Sequence, residues 1–473
     1  MTTKGLMLAA LLTLSTANPL LAAQETVTTL ADQKGVAVTI YNQNRALVRD
    51  HRLITLPTGR SVLAFREVSG KMQPETALLA APFLSVLEQN FEFDLLTPQS
   101  LLDKYMGKEV RVVKRHPTTG EESSESATVL STNNGVVLKT ADHIETGVPG
   151  RLIFADVPDD LRDRPTLTML VDNSSTNPQD VELSYLTSGL DWKADYVAEL
   201  NETDTSFDIR GWVTLNNRSG ATFRDARLQL VAGDVRQVER EDRAPRALMA
   251  KGAMAGEADM AEEQLFEYHL YSLDHPTTIK DNQAKQVALL AARSVPCTKE
   301  FVLAGTDYLY LNHYGEIGQK MKIGVFLETA NKKDNHLGLP FPKGVVRVYK
   351  KDTRGNLQFV GEDRIDHTPE NEVIRLKLGD AFDVTADKKQ TEFKKVAGFS
   401  PYNYVYEVAF QIDLKNARKE PVTVSVVEPI PGDWEMVRET LRHEKKASNT
   451  AVWKVEVPAQ GQSTLLYRVR VKR

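Results

Sequence analysis

The chain is poor in the residues that usually betray an activity. It has one cysteine, Cys297, in 473 residues, so no intrachain disulfide can form. A chain of this length can bury a large core without one. Cys297 lies in Val295-Pro296-Cys297-Thr298, without the local signature of a cysteine nucleophile, and reads as a small buried hydrophobe. Positive charge is not in excess: 59 Lys and Arg stand against 64 Asp and Glu, net −5. Nucleic-acid binding needs a clustered basic surface, so no nucleic-acid partner is expected. Beyond the N-terminus no apolar run has the length of a membrane span. The aromatic girdles and long repetition of an outer-membrane barrel are missing too.

Catalytic patterns are equally scarce. The nine histidines include no pair at i, i+3 or i, i+4, and there is no H-E-x-x-H. Neither a G-x-S-x-G elbow nor a Walker A loop occurs. The acidic run Asp156, Asp159, Asp160, Asp163 lacks the alternation of an EF-hand and reads as a solvated linker. Asp191 and Asp234 read as turn residues rather than a catalytic pair. The expectation is no catalytic residue, no metal site and no cofactor.

Three features are present. The first is an N-terminal secretory signal. Lys4 supplies the charged n-region, Gly5–Ala17 the apolar stretch, and Leu20-Leu21-Ala22-Ala23 the small-residue cleavage site before Gln24. After cleavage no transmembrane segment is expected, which places the product in the periplasm or outside the cell.

The second is period-two alternation, as in Val36-Ala37-Val38-Thr39-Ile40-Tyr41. Similar stretches begin at Arg45, Arg60, Thr166, Val181 and Trp192, bounded by Gly, Pro, Asn and Asp, which argues a mainly β chain. The predicted architecture is a multi-domain β-sandwich of immunoglobulin-like spacing with few helices. Gly107 to Asp156 predicts a small SH3-like barrel insert, with Asn133-Asn134-Gly135 as a hairpin turn. Helices are predicted over Pro98–Met106, capped by Thr97, and more weakly over Asp281–Arg293. The short apolar stretch Thr76–Leu87 reads as a core element. The predicted organisation is a signal over 1–23, an N-terminal β domain over 24–165 with the barrel at about 107–156, a β region over 166–320 and a C-terminal sandwich over 321–473.

The third is Arg240–Gln264, rich in Ala, Met and charge and free of β-branched residues. It reads as a long mobile loop that cannot pack as a strand.

Ser188-Gly189-Leu190-Asp191-Trp192-Lys193-Ala194-Asp195-Tyr196, followed by Gly211-Trp212-Val213-Thr214-Leu215-Asn216-Asn217-Arg218-Ser219-Gly220, resembles the bacterial envelope family called domain of unknown function 4139. Leu228–Val235, Phe266–Leu273, Trp453–Pro458 and Tyr467-Arg468-Val469 extend the likeness over roughly Thr166 to Val471. Val38–Phe65 is similar to the N-terminal region of mucoidy inhibitor A-like proteins, without their long helical hairpin. The resemblance implies a secreted, mostly β protein and supplies no catalytic residues. Trp192, Tyr196 and Trp212 are the candidate ligand-binding residues, with core packing as the competing reading. The expected function is a non-catalytic binding or scaffolding protein with an envelope protein or polysaccharide as partner. The alternative is a periplasmic hydrolase acting on envelope polysaccharide or peptide.

Protein recovered from the periplasm is expected to begin at Gln24 by intact-mass measurement. A full-length mass in the membrane fraction would refute the cleavage site.

Overall fold

In the computed structural model the described residues are 25–158, 160–233, 260–265, 268–397, 402 and 404–472. The N-terminal stretch expected to be a secretory signal, with its expected cleavage site, lies outside them. Strand makes up 65% and helix 5%, so the chain is mainly β, as its alternation predicts. It divides into two compact units.

The first unit takes in residues up to Ala37, Leu47–Ser188 and Ser219–Thr222. One sheet orders Glu25–Thr28, Gly59–Arg66, Thr166–Asn173 and Leu84–Glu92; another places Gln179–Ser188 between Arg45–Ile54 and Leu78–Ala80. Arg52 is fully buried, stacked 3.8 Å over the Phe65 ring, and donates to Asp50 Oδ2 (2.9 Å) and to the Arg66 carbonyl (2.9 Å). Leu84–Glu92 and Leu78–Ala80 are edge strands. Leu78 is therefore 65% and Leu87 45% exposed, which corrects the reading of Thr76–Leu87 as core. The apolar content is real, but an edge strand lacks a neighbour on one side.

Within the same unit, five strands pair in the order Ile144–Thr146, Val137–Lys139, Glu122–Ser131, Glu109–Arg115, Arg151–Ile153. The predicted helix forms over Pro98–Lys104. Thr97 caps it by accepting from the Ser100 amide, while Pro98 sits where no amide partner is needed. The helix sends Leu102 into a small core with Val110, Val112, Val129 and Leu138.

The second unit holds Val38–Ala46, Gly189–Arg218 and Phe223–Arg473. A five-stranded sheet runs Gln283–Pro296, Ser206–Asn217, Leu190–Leu200, Gly344–Lys351, Leu357–Ile365. Its first strand replaces the helix predicted over Asp281–Arg293. Ala288, Leu289, Leu290, Ala291 and Ala292 favour a helix locally. Antiparallel pairing with Ser206–Asn217 along the strand outweighs that preference, as sheet context commonly does.

Met260–Leu265 is also a strand, paired with Tyr268–Leu273, and Met260 is buried. This corrects the end of the loop predicted over Arg240–Gln264. A hairpin partner supplies the hydrogen bonds that composition did not advertise. Residues 240–259 of that stretch lie outside the described residues.

The remaining sheet has nine strands: Asp433–Glu439, Gly461–Lys472, Tyr404–Asn416, Val373–Ala397, Glu316–Ala330, Thr298–Ala304, Val422–Pro429, Thr450–Val457 and Glu444–Ala447. It rolls over a core that includes Phe410, Trp453 and Tyr467, until its two terminal strands meet. There Trp434 Nε1 donates to the Ser448 carbonyl at 2.9 Å and Lys445 Nζ lies 4.6 Å from the Trp434 ring.

Inside that roll sits an ion pair. Lys388 Nζ is 2.6 Å from Glu428 Oε1, with side-chain exposures of 1% and 0%. Tyr310 donates to Glu428 Oε2 at 2.8 Å, and the Tyr467 hydroxyl is 3.0 Å from that of Tyr310. Burial, followed by the Glu428 charge, pushes both phenols well above their usual range, so they stay neutral hydrogen-bonding groups. Gly305 is required beside them: a Cβ there would lie 2.2 Å from Glu428 Oε2.

Removing one partner of a buried pair strands the other charge. Lys388→Met is expected to cost about 3–5 kcal/mol in urea unfolding. Adding Glu428→Gln, which keeps an acceptor for Tyr310, is expected to recover much of that loss. A single-variant cost under about 1 kcal/mol would mean that the pair is solvated.

Candidate functional site

The seam between the two terminal strands of the nine-stranded sheet is built by local geometry. The turn Pro429-Ile430-Pro431-Gly432 delivers the chain into Asp433–Glu439. Gly432 has φ +68°, and a Cβ there would lie 2.6 Å from the Lys472 carbonyl. Only glycine permits both the conformation and the approach. The strand then pairs with Gly461–Lys472, setting Trp434 opposite Val471, and shifts register between Met436 and Arg438.

Below the seam lies a fixed aromatic cluster. Glu439 Oε2 accepts from Trp453 Nε1 at 2.9 Å, from the His443 amide at 3.2 Å and from His443 Nδ1 at 2.9 Å. The His443 ring sits between Trp434, at 5.4 Å, and Trp453, at 5.8 Å. Glu439 thereby holds the imidazole and the indole in place.

Above it opens a concavity of about 540 Å3 lined by Tyr402, Gly432, Asp433, Trp434, Lys445, Ser448, Asn449 and Lys472. Lys472 is paired with Glu435 at 3.1 Å, and the lysine holds that carboxyl below its usual range. The Tyr402 hydroxyl donates to Asp433, and this bond is the main cause that raises the phenol. Lys445 and Asn449 are exposed at the rim. The walls therefore offer an indole, a phenol, an ammonium and an amide around a volume of small-ligand size.

The candidates named from the sequence lie elsewhere. Trp192 and Tyr196 share the inner face of Leu190–Leu200, at 4% and 0% exposure. Tyr196 donates to the Pro342 carbonyl at 2.8 Å and packs against Phe341 at 5.5 Å. Trp212 is on the opposite face of the adjacent strand, beside Asp195 in register, and is 39% exposed. The three do not form one platform. Asp191 accepts from Asn216 Nδ2 at 2.9 Å; Asp234 lies outside the described residues. Cys297 is half-buried, and burial, aided by Asp204, pushes its thiol up to about 11, which keeps it protonated at neutral pH. Among the described residues no group of three or more His, Cys, Asp and Glu is arranged to hold a metal.

Sequence reasoning missed Trp434 and His443. Asp433 carries no signal of its own in the sequence, and Trp453 enters there only through the family likeness over Trp453–Pro458. The available signal was two of the four tryptophans flanking one histidine along a short stretch.

The model of the family Domain of unknown function (DUF4139) matches residues 181–473. The chain belongs to this family. No curated protein matches the chain. The family region contains the rolled sheet, its buried ion pair and the seam. No helix among the described residues is long and apolar enough to cross a membrane.

Trp192 gives a test of core packing against exposure. Its buried indole nitrogen has no hydrogen-bond partner among the described residues. Trp192→Ala is expected to cost about 3–5 kcal/mol. Trp192→Phe is expected to stay within about 1.5 kcal/mol, because it removes an unsatisfied donor along with some volume. Trp212→Ala, on the open face, is expected to change stability by about 0.5 kcal/mol or less. Urea denaturation of the three variants checks the order.

Proposed function

We propose that this chain is an exported, non-catalytic binding or scaffolding protein of the bacterial envelope, related at its N-terminus to mucoidy inhibitor A-like proteins. The partner is an envelope polysaccharide or protein. The observation that carries the reading is the composition of the seam concavity. It combines the Trp434 ring with polar side chains at the rim, a mixture that suits a ligand with both apolar faces and hydroxyl or amide groups.

The hydrolase reading asks for more. Glycoside cleavage uses two carboxyl groups roughly 5–10 Å apart across the scissile bond. Among the described residues Asp433 is the one carboxylate lining the concavity, and it is engaged by Tyr402. Nearby Glu439 is occupied by Trp453 and His443. Neither is placed as a free acid opposite a second one.

Titration with soluble envelope polysaccharide is expected to change tryptophan fluorescence. The change should be lost in Lys445→Ala/Asn449→Ala, whose side chains are exposed and leave the core intact. The polysaccharide should keep its chain length after prolonged incubation. Shortened chains would favour the hydrolase. A response unchanged in the double variant would move binding away from the seam.

A further inference from the structure

The long strand Val373–Ala397 breaks step with its neighbour Glu316–Ala330. Asp380 pairs with Gly324 and Thr385 with Lys322. The residues from Ala381 to Val384 therefore stand opposite the single residue Ile323. Such a bulge re-aims side chains that a regular strand would alternate between faces. Here Val384 returns to the core at 0% exposure, while Phe382 is thrown outward and is 95% exposed. An isolated apolar surface residue is ordinary. A phenyl ring held almost wholly in water at the apex of a bulge is not explained by folding, because it contributes no burial.

Beside this knob is a socket. Phe301, Val325, Ala381, Val384 and the edge formed by Phe382 itself line a surface cavity of about 110 Å3, with Lys299, Asp383 and Arg418 also on its wall. A closed apolar cavity of about 150 Å3 accepts benzene, so the socket is of the right order for one phenyl ring. The Arg418 guanidinium lies 5.6 Å from the Phe301 ring. Among the described residues, neither Arg418 nor Asp383 makes a side-chain hydrogen bond or ion pair.

Knob, socket, unpaired cation and unpaired anion thus lie on one small surface. A two-fold arrangement lets each copy present to the other what it also receives. We propose that two copies of this chain associate through this face. Phe382 of each copy fills the Phe301 socket of the other, and Asp383 of each meets Arg418 of the other. An aromatic anchor in a pocket beside an arginine has the composition of an interface hot spot. Asp380 is already held by Lys322 and Lys377, each at 3.6 Å, which leaves Asp383 and Arg418 as the two charges open to a second copy. This proposal is independent of the ligand assigned to the seam.

Sedimentation equilibrium of the purified chain tests it over roughly 1–100 µM, where interfaces of moderate strength populate both species. The wild type is expected to move from monomer toward dimer. Phe382→Ser is expected to weaken association at least about tenfold, a loss of about 1.4 kcal/mol, with an unchanged melting temperature because the ring supports no core. Asp383→Arg is expected to weaken it as well, and Asp383→Arg with Arg418→Asp to restore it. A wild type that stays monomeric throughout overturns the proposal. So does a dimer that Phe382→Ser leaves intact. Phe382-dependent binding to phosphatidylglycerol vesicles without self-association would assign the knob to a bilayer and overturn it too.

Discussion

The ion pair between Lys388 and Glu428 is the constraint around which the second unit is organised. A charge pair removed from water holds only when its remaining hydrogen-bonding capacity is met. Glu428 meets it with Lys388 on one oxygen and Tyr310 on the other. These groups come from distant strands and a short helical turn, so satisfying them closes the sheet over its own core. The same requirement reaches Gly305, where any side chain would collide with the carboxylate. Trp453, Phe410 and Tyr467 then stack around the closed pair.

Closing the sheet produces the candidate site. An open nine-stranded sheet would leave two unpaired edges, a standing hazard for aggregation. In the roll those edges face each other, and Trp434 bridges them through Ser448. The concavity is what the two edges leave unfilled. Its chemistry follows from edge strands, which carry polar and charged side chains at their solvent margins, together with an indole drawn partly onto the core.

Much of the β character was legible because period-two alternation is local. The helix over Pro98–Lys104 was legible for the same reason, since Thr97 and Pro98 act on their own turn. The failures were also physical. Gln283–Pro296 has helix-favouring residues, but its partner strand lies far back in the chain. Met260–Leu265 follows a stretch with no strand propensity and is recruited by its hairpin neighbour. Leu78 and Leu87 look like core residues until the sheet order makes their strands edges. For the site, Trp192, Tyr196 and Trp212 drew notice as aromatics on adjacent strands. The pleat that puts the first two inside puts the third outside.

The sequence by itself determined the fold class, the likeness to the family and the single, unpaired cysteine. Each of these is a property of composition or of a few neighbouring residues. Only the tertiary structure decided which apolar strands are covered, where register shifts re-aim Glu439 and Phe382, and that Trp434 meets Ser448 and Lys445. The reason is that register and closure are set by pairing between segments far apart in the chain. One residue of slip turns a side chain from core to solvent, and no local pattern records which slip the distant partner imposes.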